Sequence, residues 1–318
     1  MMDDVDPHIR RFHHQVNADY ARLSAGGYAD ISARRAVAEE VRAPWTAGGP
    51  VMAKTEELIV GAGKLRVRIH RPNADPVLPV LLYIHGGGWM LFSIDTHDRL
   101  MREYAARVGC AVIGVDYSLS PEVRFPHALD EIVDVVGWVR SDGAAHGLDP
   151  ERVAIGGDSA GANLSLATAL RLRDAGEPPL NALLLNYGAF DTEIRDSHSR
   201  YDGDAYNLTA SEMVDFWDAY LGPDGDRQSP YARPMLAKLH NLPPAFLCIA
   251  ACDILADENR AMSAKLRDAG VEVRMTVYAG AIHSFLESMN ISDMANTAIA
   301  DGADWLKRHL KSGASAAD

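Results

Sequence analysis

Gly157-Asp158-Ser159-Ala160-Gly161 stands between an apolar, β-branched run, Arg152-Val153-Ala154-Ile155, and a helix-like run over residues 163–171. Strand, tight turn and helix in that order lift a serine hydroxyl clear of a strand end, which is the context of a nucleophile elbow. Gly157 and Gly161 fit because a side chain at either position would collide where strand and helix cross closely. The N–H of Ala160 would open the helix and face developing negative charge. The pattern alone could also be a flexible loop, so its reading depends on the rest of the chain.

Upstream, residues 79–84 read as a short apolar strand that runs straight into His85-Gly86-Gly87-Gly88-Trp89. Three consecutive glycines cost backbone entropy, and they make sense where N–H groups must approach a ligand oxygen. A phosphate cradle is the rival, but no Lys-Ser/Thr follows and no helix starts directly. Residues 96–108 and 128–140 predict helices, and 111–116 a buried strand. Downstream, 180–187, 245–251 and 271–278 predict strands, with helices over 257–269 and 291–310. Leu58-Ile59-Val60 and residues 65–70 flank Gly61-Ala62-Gly63 as a hairpin-like pair. Strands alternating with helices predict the α/β class: a mostly parallel central sheet with helices on both faces.

Two stretches break the alternation. Residues 1–50 are helical, with Ile9, Phe12, Val16, Tyr20 and Leu23 forming an apolar stripe. Residues 191–235 separate two strands with far more chain than a crossover needs. They hold a capping box at Thr209-Ala210-Ser211-Glu212 and the aromatic residues Tyr201, Tyr206, Phe216, Trp217 and Tyr220. The expected organisation is a helical cap built from 1–50 and the inserted segment 191–235, over a catalytic core of 51–190 and 236–318. His8, His13 and His14 lack the carboxylate or cysteine that would complete a ligand set, so they are read as solvated helix histidines and no metal site is expected. The small-residue tail 312–318 is expected to fray.

A serine hydroxyl needs a base, and the base needs an orienting acid. In a strand-ordered site of this kind the chain order is serine, acid, histidine. Asp253 closes the strand Phe246-Leu247-Cys248-Ile249-Ala250-Ala251-Cys252, at the carboxyl edge of the sheet beside the elbow; Asp191 is the competitor. Among twelve histidines, only His283 is a loop histidine beyond the final strand. Ser159, Asp253 and His283 are therefore the catalytic candidates. Gly87, Gly88 and Ala160 are the oxyanion donors. Trp89, Met90, Leu91, Phe92, Tyr187 and Phe216 are the pocket candidates, with core packing as the rival for Met90, Leu91 and Phe92.

Together these motifs resemble the hormone-sensitive-lipase-like esterases of the α/β-hydrolase superfamily (microbial family IV), in the subgroup with a GDSAG elbow. Asp116-Tyr117-Ser118-Leu119-Ser120-Pro121-Glu122 is similar to that family's Asp-Tyr-Arg-Leu-Ala-Pro-Glu segment, and the likeness runs over about residues 80–310. It implies an α/β-hydrolase fold with an N-terminal cap, no cofactor, and Ser159, His283 and Asp253 as nucleophile, base and partner. His85, with Gly86, Gly157, Asp158 and Gly161, would be structural. The implied activity is carboxylic ester hydrolysis through an acyl-serine, on small-molecule esters with short to medium acyl chains or small aromatic groups. An amidase or lactonase could use the same triad, and a ligand-binding protein on this scaffold is a remote alternative. Three departures bear on loop packing and substrate fit: Ile254 and Ala256 where the family has Pro and Arg, Ser118 for an arginine, and Ser284 for a glycine.

Composition bounds the partners. The 318 residues hold 31 Lys and Arg against 44 Asp and Glu, a net charge of −13, which argues against nucleic acid and anionic membrane surfaces. No run is long enough to span a membrane, and the acidic start Met1-Met2-Asp3-Asp4 does not read as a signal peptide. Three cysteines, Cys110, Cys248 and Cys252, without a Cys-x-x-Cys fit a cytoplasmic location. The last strand and its helices could pair two chains into a homodimer, although no sequence feature demands it.

Overall fold

The alternation closes into one eight-stranded sheet. In chain order, the computed structural model contains helices α1 (Pro7–Leu23) and α2 (Ile31–Arg42), the hairpin strands β1 (Lys54–Val60) and β2 (Leu65–Arg71), β3 (Leu78–Ile84), α3 (Asp98–Val108), β4 (Ala111–Val115), α4 (His127–Asp142), β5 (Leu148–Asp158) and α5 (Ala160–Asp174). Then come β6 (Leu183–Asn186), α6 (Asp196–Tyr201), α7 (Ala210–Leu221), β7 (Ala245–Cys252), α8 (Ala256–Asp268), β8 (Val273–Ile282) and α9 (Asp293–Leu310). The structure describes residues 4–311, so the tail 312–318 lies outside the described residues, as do residues 1–3.

The strand order is β1-β2-β4-β3-β5-β6-β7-β8. β2 pairs antiparallel with β1 and β4; β4-β3-β5-β6-β7-β8 are all parallel. Because the strand side chains alternate, Val80, Leu82 and Ile84 enter one core while Leu81 and Tyr83 enter the other, and the sheet is covered on both faces. α5 shows how tightly it is covered: residues Ala160 to Leu170 are buried without interruption, so the helix reaches solvent only in its last turn.

Parallel strands bring their carboxyl ends to one edge, and that geometry places the chemistry. The turns after β3, β5, β6, β7 and β8 deliver Gly86–Gly88, Ser159, Tyr187, Asp253 and His283 to the same rim. β8 is longer than the sequence indicated; it runs on to Ile282 and so hands His283 directly to that rim.

α1, α2, α6 and α7 lie outside the alternation. Ile9, Phe12 and Val16 bury the α1 stripe. α7 begins with the expected capping box: Glu212 N–H donates to Thr209 Oγ1 (3.2 Å), and Thr209 N–H donates to the Glu212 carboxylate (3.0 Å). Such a box contributes about 1 kcal/mol. The histidine reading needs one correction. His13 is not solvated: it is buried, and its Nε2 donates to the Asp204 carbonyl (2.6 Å), tying α1 to the 191–235 segment.

Candidate active site

Ser159 sits at φ 54°, ψ −118°, between the last residue of β5 and the first of α5. A non-glycine residue held there stores about 1–3 kcal/mol of strain. The surroundings enforce it. The Ser159 N–H donates to the Asn186 carbonyl (2.9 Å), and a Cβ on Gly157 or Gly161 would overlap the Ile84 carbonyl of the neighbouring strand. The result aims the hydroxyl outward. His283 Nε2 lies 3.0 Å from Ser159 Oγ, and His283 Nδ1 lies 2.7 Å from Asp253 Oδ2. The other Asp253 oxygen accepts the Leu255 N–H (2.9 Å), which fixes the carboxylate.

Burial by itself pulls the pKa of His283 down. The Asp253 charge and hydrogen bond, helped by the more distant Asp158 and Glu287, override burial and leave it raised above the ordinary value. Asn207 donates to the His283 carbonyl (3.1 Å), and the Tyr187 ring packs edge-on to the imidazole at 5.1 Å. Ser284 has φ 62°, in the left-handed region, which gives a physical reason for the glycine usual at that position. The competitor Asp191 is engaged elsewhere, paired with Arg233 (2.7 Å) and Arg195 (3.3 Å).

Behind the elbow, Asp158 is buried and accepts from Tyr83 Oη (2.9 Å). Burial would raise its pKa, but the nearby His97 charge and the hydrogen bonds from His97 and Tyr83 hold it below the usual carboxylate range. His85 stacks on Tyr117 at 4.3 Å, and its carbonyl accepts the Tyr117 hydroxyl (2.9 Å). Burial drives the His85 pKa down to about 3, so the imidazole is neutral; its Nδ1 donates to the Gly86 carbonyl (2.7 Å).

Gly87 (φ 113°) and Gly88 (φ 60°) follow. A Cβ on Gly87 would overlap the Leu91 carbonyl, and one on Gly88 would overlap the Phe216 ring. The Gly87 carbonyl accepts both Met90 N–H (3.1 Å) and Leu91 N–H (2.9 Å), coiling the loop on itself. Among the described residues, the N–H groups of Gly87, Gly88 and Ala160 find no acceptor, which leaves them for a ligand oxygen. Arg35 of α2 fastens this loop. It donates to the Met90 carbonyl (2.8 Å), to the Ser120 carbonyl (2.8 Å) and through two bonds to Glu122 (2.8 and 2.7 Å).

Ser159 and His283 open into a cavity of about 420 Å³. Its lining includes Gly87, Gly88, Leu91, Phe92 and Phe216 of the sequence candidates. Three pocket candidates are corrected. Trp89 does not line it; it is buried, stacked on Tyr220 at 4.4 Å and against Trp217 at 4.5 Å. Met90 turns away as the loop coils, and Tyr187 stands behind the imidazole. The sequence reading missed Asn17 and Tyr20 of α1 and Arg34, Ala38 and Arg42 of α2. The signal was present for α2, where Arg34, Ala38 and Arg42 recur every four residues and so share a face. No group of metal-binding side chains occurs among the described residues.

Comparison with known proteins points to the same fold. Residues 81–287 match a family model described as alpha/beta hydrolase fold. The chain is 35% identical over 288 residues to an acetyl esterase of Salmonella choleraesuis (strain SC-B67), covering 89% of this chain and 88% of that protein. Among solved structures, an esterase of Pyrobaculum calidifontis superposes with a TM-score of 0.88 at 33% identity, covering 96% of this chain and 98% of the other. A thermostable esterase of Pseudomonas putida ECU1011 gives 0.86 at 30% identity, covering 98% and 99%.

Proposed function

Because the chain belongs to the α/β-hydrolase-fold family, as one of its hormone-sensitive-lipase-like esterases, we propose that Ser159, His283 and Asp253 are the groups through which it works. It is a serine carboxylic ester hydrolase. Ser159 Oγ attacks the ester carbonyl carbon while His283 Nε2 takes the hydroxyl proton. The Asp253 carboxylate holds Nδ1–H, fixes the tautomer and stabilises the imidazolium. The N–H groups of Gly87, Gly88 and Ala160 receive the oxyanion of the tetrahedral intermediate. As the intermediate collapses, the imidazolium protonates the departing alcohol and the acyl group stays on Ser159. A water then gives its proton to His283 and attacks the acyl carbon; the acyl–Oγ bond breaks, the imidazolium returns the proton to Ser159 Oγ, and the acid leaves.

The observation that carries this assignment is the continuous hydrogen-bonded line from Asp253 through His283 to Ser159, ending in a cavity beside three N–H groups that have no acceptor among the described residues. The cavity volume supports short to medium acyl chains or small aromatic esters. α1, α2 and the 191–235 segment act as the cap. β8, the last strand in the sheet order, is where a homodimer would form. Three free, buried cysteines favour the cytoplasm. No helix among the described residues is long and apolar enough to cross a membrane.

The test is a series of p-nitrophenyl esters from acetate to dodecanoate. Turnover should be highest among the short and medium chains and fall for the longest. Rates no faster than those of the Ser159→Ala variant across the whole series would end the ester reading. A second expectation concerns the donors. Gly87→Ala places a methyl group against the Leu91 carbonyl and must move the loop that carries two of them. A loss of about 10²–10³ in kcat is expected, the scale of one missing oxyanion donor, measured on p-nitrophenyl acetate.

A further inference from the structure

α2 carries three arginines, and two are spoken for. Arg35 is bound to Glu122 and two loop carbonyls, and Arg42 is paired with Glu287 at 2.6 Å. Arg34 differs. It is half-buried and lines the cavity, and among the described residues its guanidinium has neither an ion pair nor a hydrogen bond. It lies over the Phe216 ring, 5.7 Å from the centroid. Phe216 in turn covers Gly88 so closely that a Cβ there would overlap the ring. The guanidinium is therefore one aromatic ring away from the oxyanion loop. The Glu212 carboxylate also lines the cavity, held in place through its Oε2, which accepts the Thr209 N–H and hydroxyl.

An unpaired guanidinium facing a cavity in a chain of net charge −13 calls for a chemical reason. Its planar fork matches a carboxylate through two parallel N–H···O bonds. We propose that the site takes esters bearing a free carboxylate, with Arg34 as the group that receives it. This rests on the ester-hydrolase reading above. A substrate of this class has its anionic group a short chain or one aromatic ring from the scissile carbonyl. The carboxylate pairs with Arg34 while the carbonyl oxygen enters the Gly87–Gly88 loop. Arg34 is then a specificity residue, since it touches the substrate away from the reacting atoms.

The test uses two matched pairs of substrates. In the acyl arm, p-nitrophenyl hemiglutarate is compared with p-nitrophenyl valerate. In the alcohol arm, p-acetoxybenzoate is compared with p-acetoxybenzamide. The readout is the ratio of kcat/KM for the anionic ester to that for its neutral counterpart, in wild type, Arg34→Gln and Arg34→Lys. The expected wild-type ratio is about tenfold or more in one arm, which identifies the side that carries the carboxylate. Arg34→Gln should collapse that ratio, mainly through KM, and Arg34→Lys should restore part of it. Raising salt from about 50 mM to about 500 mM should lower it.

A wild-type ratio near or below one in both arms overturns the proposal. So does a high ratio that survives Arg34→Gln, or a loss in that variant shared equally by both members of a pair, which would mark Arg34 as support for Phe216. If wild type hydrolyses none of the four esters, nor p-nitrophenyl acetate, faster than Ser159→Ala, the ester-hydrolase reading has failed instead.

Discussion

Ser159→Ala should lower kcat on p-nitrophenyl acetate by about 10⁶-fold, the scale on which losing a triad serine removes catalysis. Stability should change little. Alanine keeps a Cβ, so the strain at φ 54° is the same in both proteins, and among the described residues the hydroxyl's one partner is the imidazole. Burst kinetics give a check independent of turnover. Wild type should release about one equivalent of p-nitrophenol per active site as the acyl-serine forms, and the variant none. A variant that retained a burst would place the nucleophile elsewhere.

The second large effect belongs to Asp253→Asn, which should lower kcat by about 10⁴-fold and also move the pH profile. His283 must be neutral to accept the serine proton, so activity rises with pH through the pKa of the folded enzyme. That pKa is raised because the Asp253 carboxylate overrides burial. The acid limb of kcat/KM in wild type should therefore lie above 6.5, the ordinary histidine value. With asparagine, burial acts with only the weaker, distant charges against it, and the limb should move to lower pH. A rate–pH series on both proteins reads this directly. An unshifted limb would mean that Asp253 does not set the state of His283.

Much of this was legible in the sequence because it is local. The elbow is five residues between a strand and a helix, and the constraint at Gly157 and Gly161 acts across one neighbouring strand. Asp253 and His283 were found because each directly follows a strand, and parallel strands end on one rim. The cavity wall was less legible. Trp89 and Phe216 are both aromatic residues near the glycine loop, yet one stacks into the core on Tyr220 while the other covers Gly88. That choice depends on how α7 lies over the sheet, which no local pattern encodes. His13 failed for the same reason: its partner is a backbone carbonyl 191 residues away. Glu258 is a further case. Its buried carboxyl, pushed up to about 8 chiefly by burial, accepts the N–H groups of Phe190 and Asp191 and so shapes the turn after β6.

Arg34 and Arg35 are neighbours in one helix. The first faces the cavity; the second is fastened to the loop that carries Gly87 and Gly88. Selectivity and rate are thus inherited together. A change that rotates or slides α2 to admit a new substrate also pulls on the Met90 carbonyl, two residues beyond Gly88. Divergence of this chain toward other esters would therefore be easier through side-chain replacement on a stationary α2 than through insertion or exchange of the helix. A transplanted helix would succeed only if it brought its own tether for that loop.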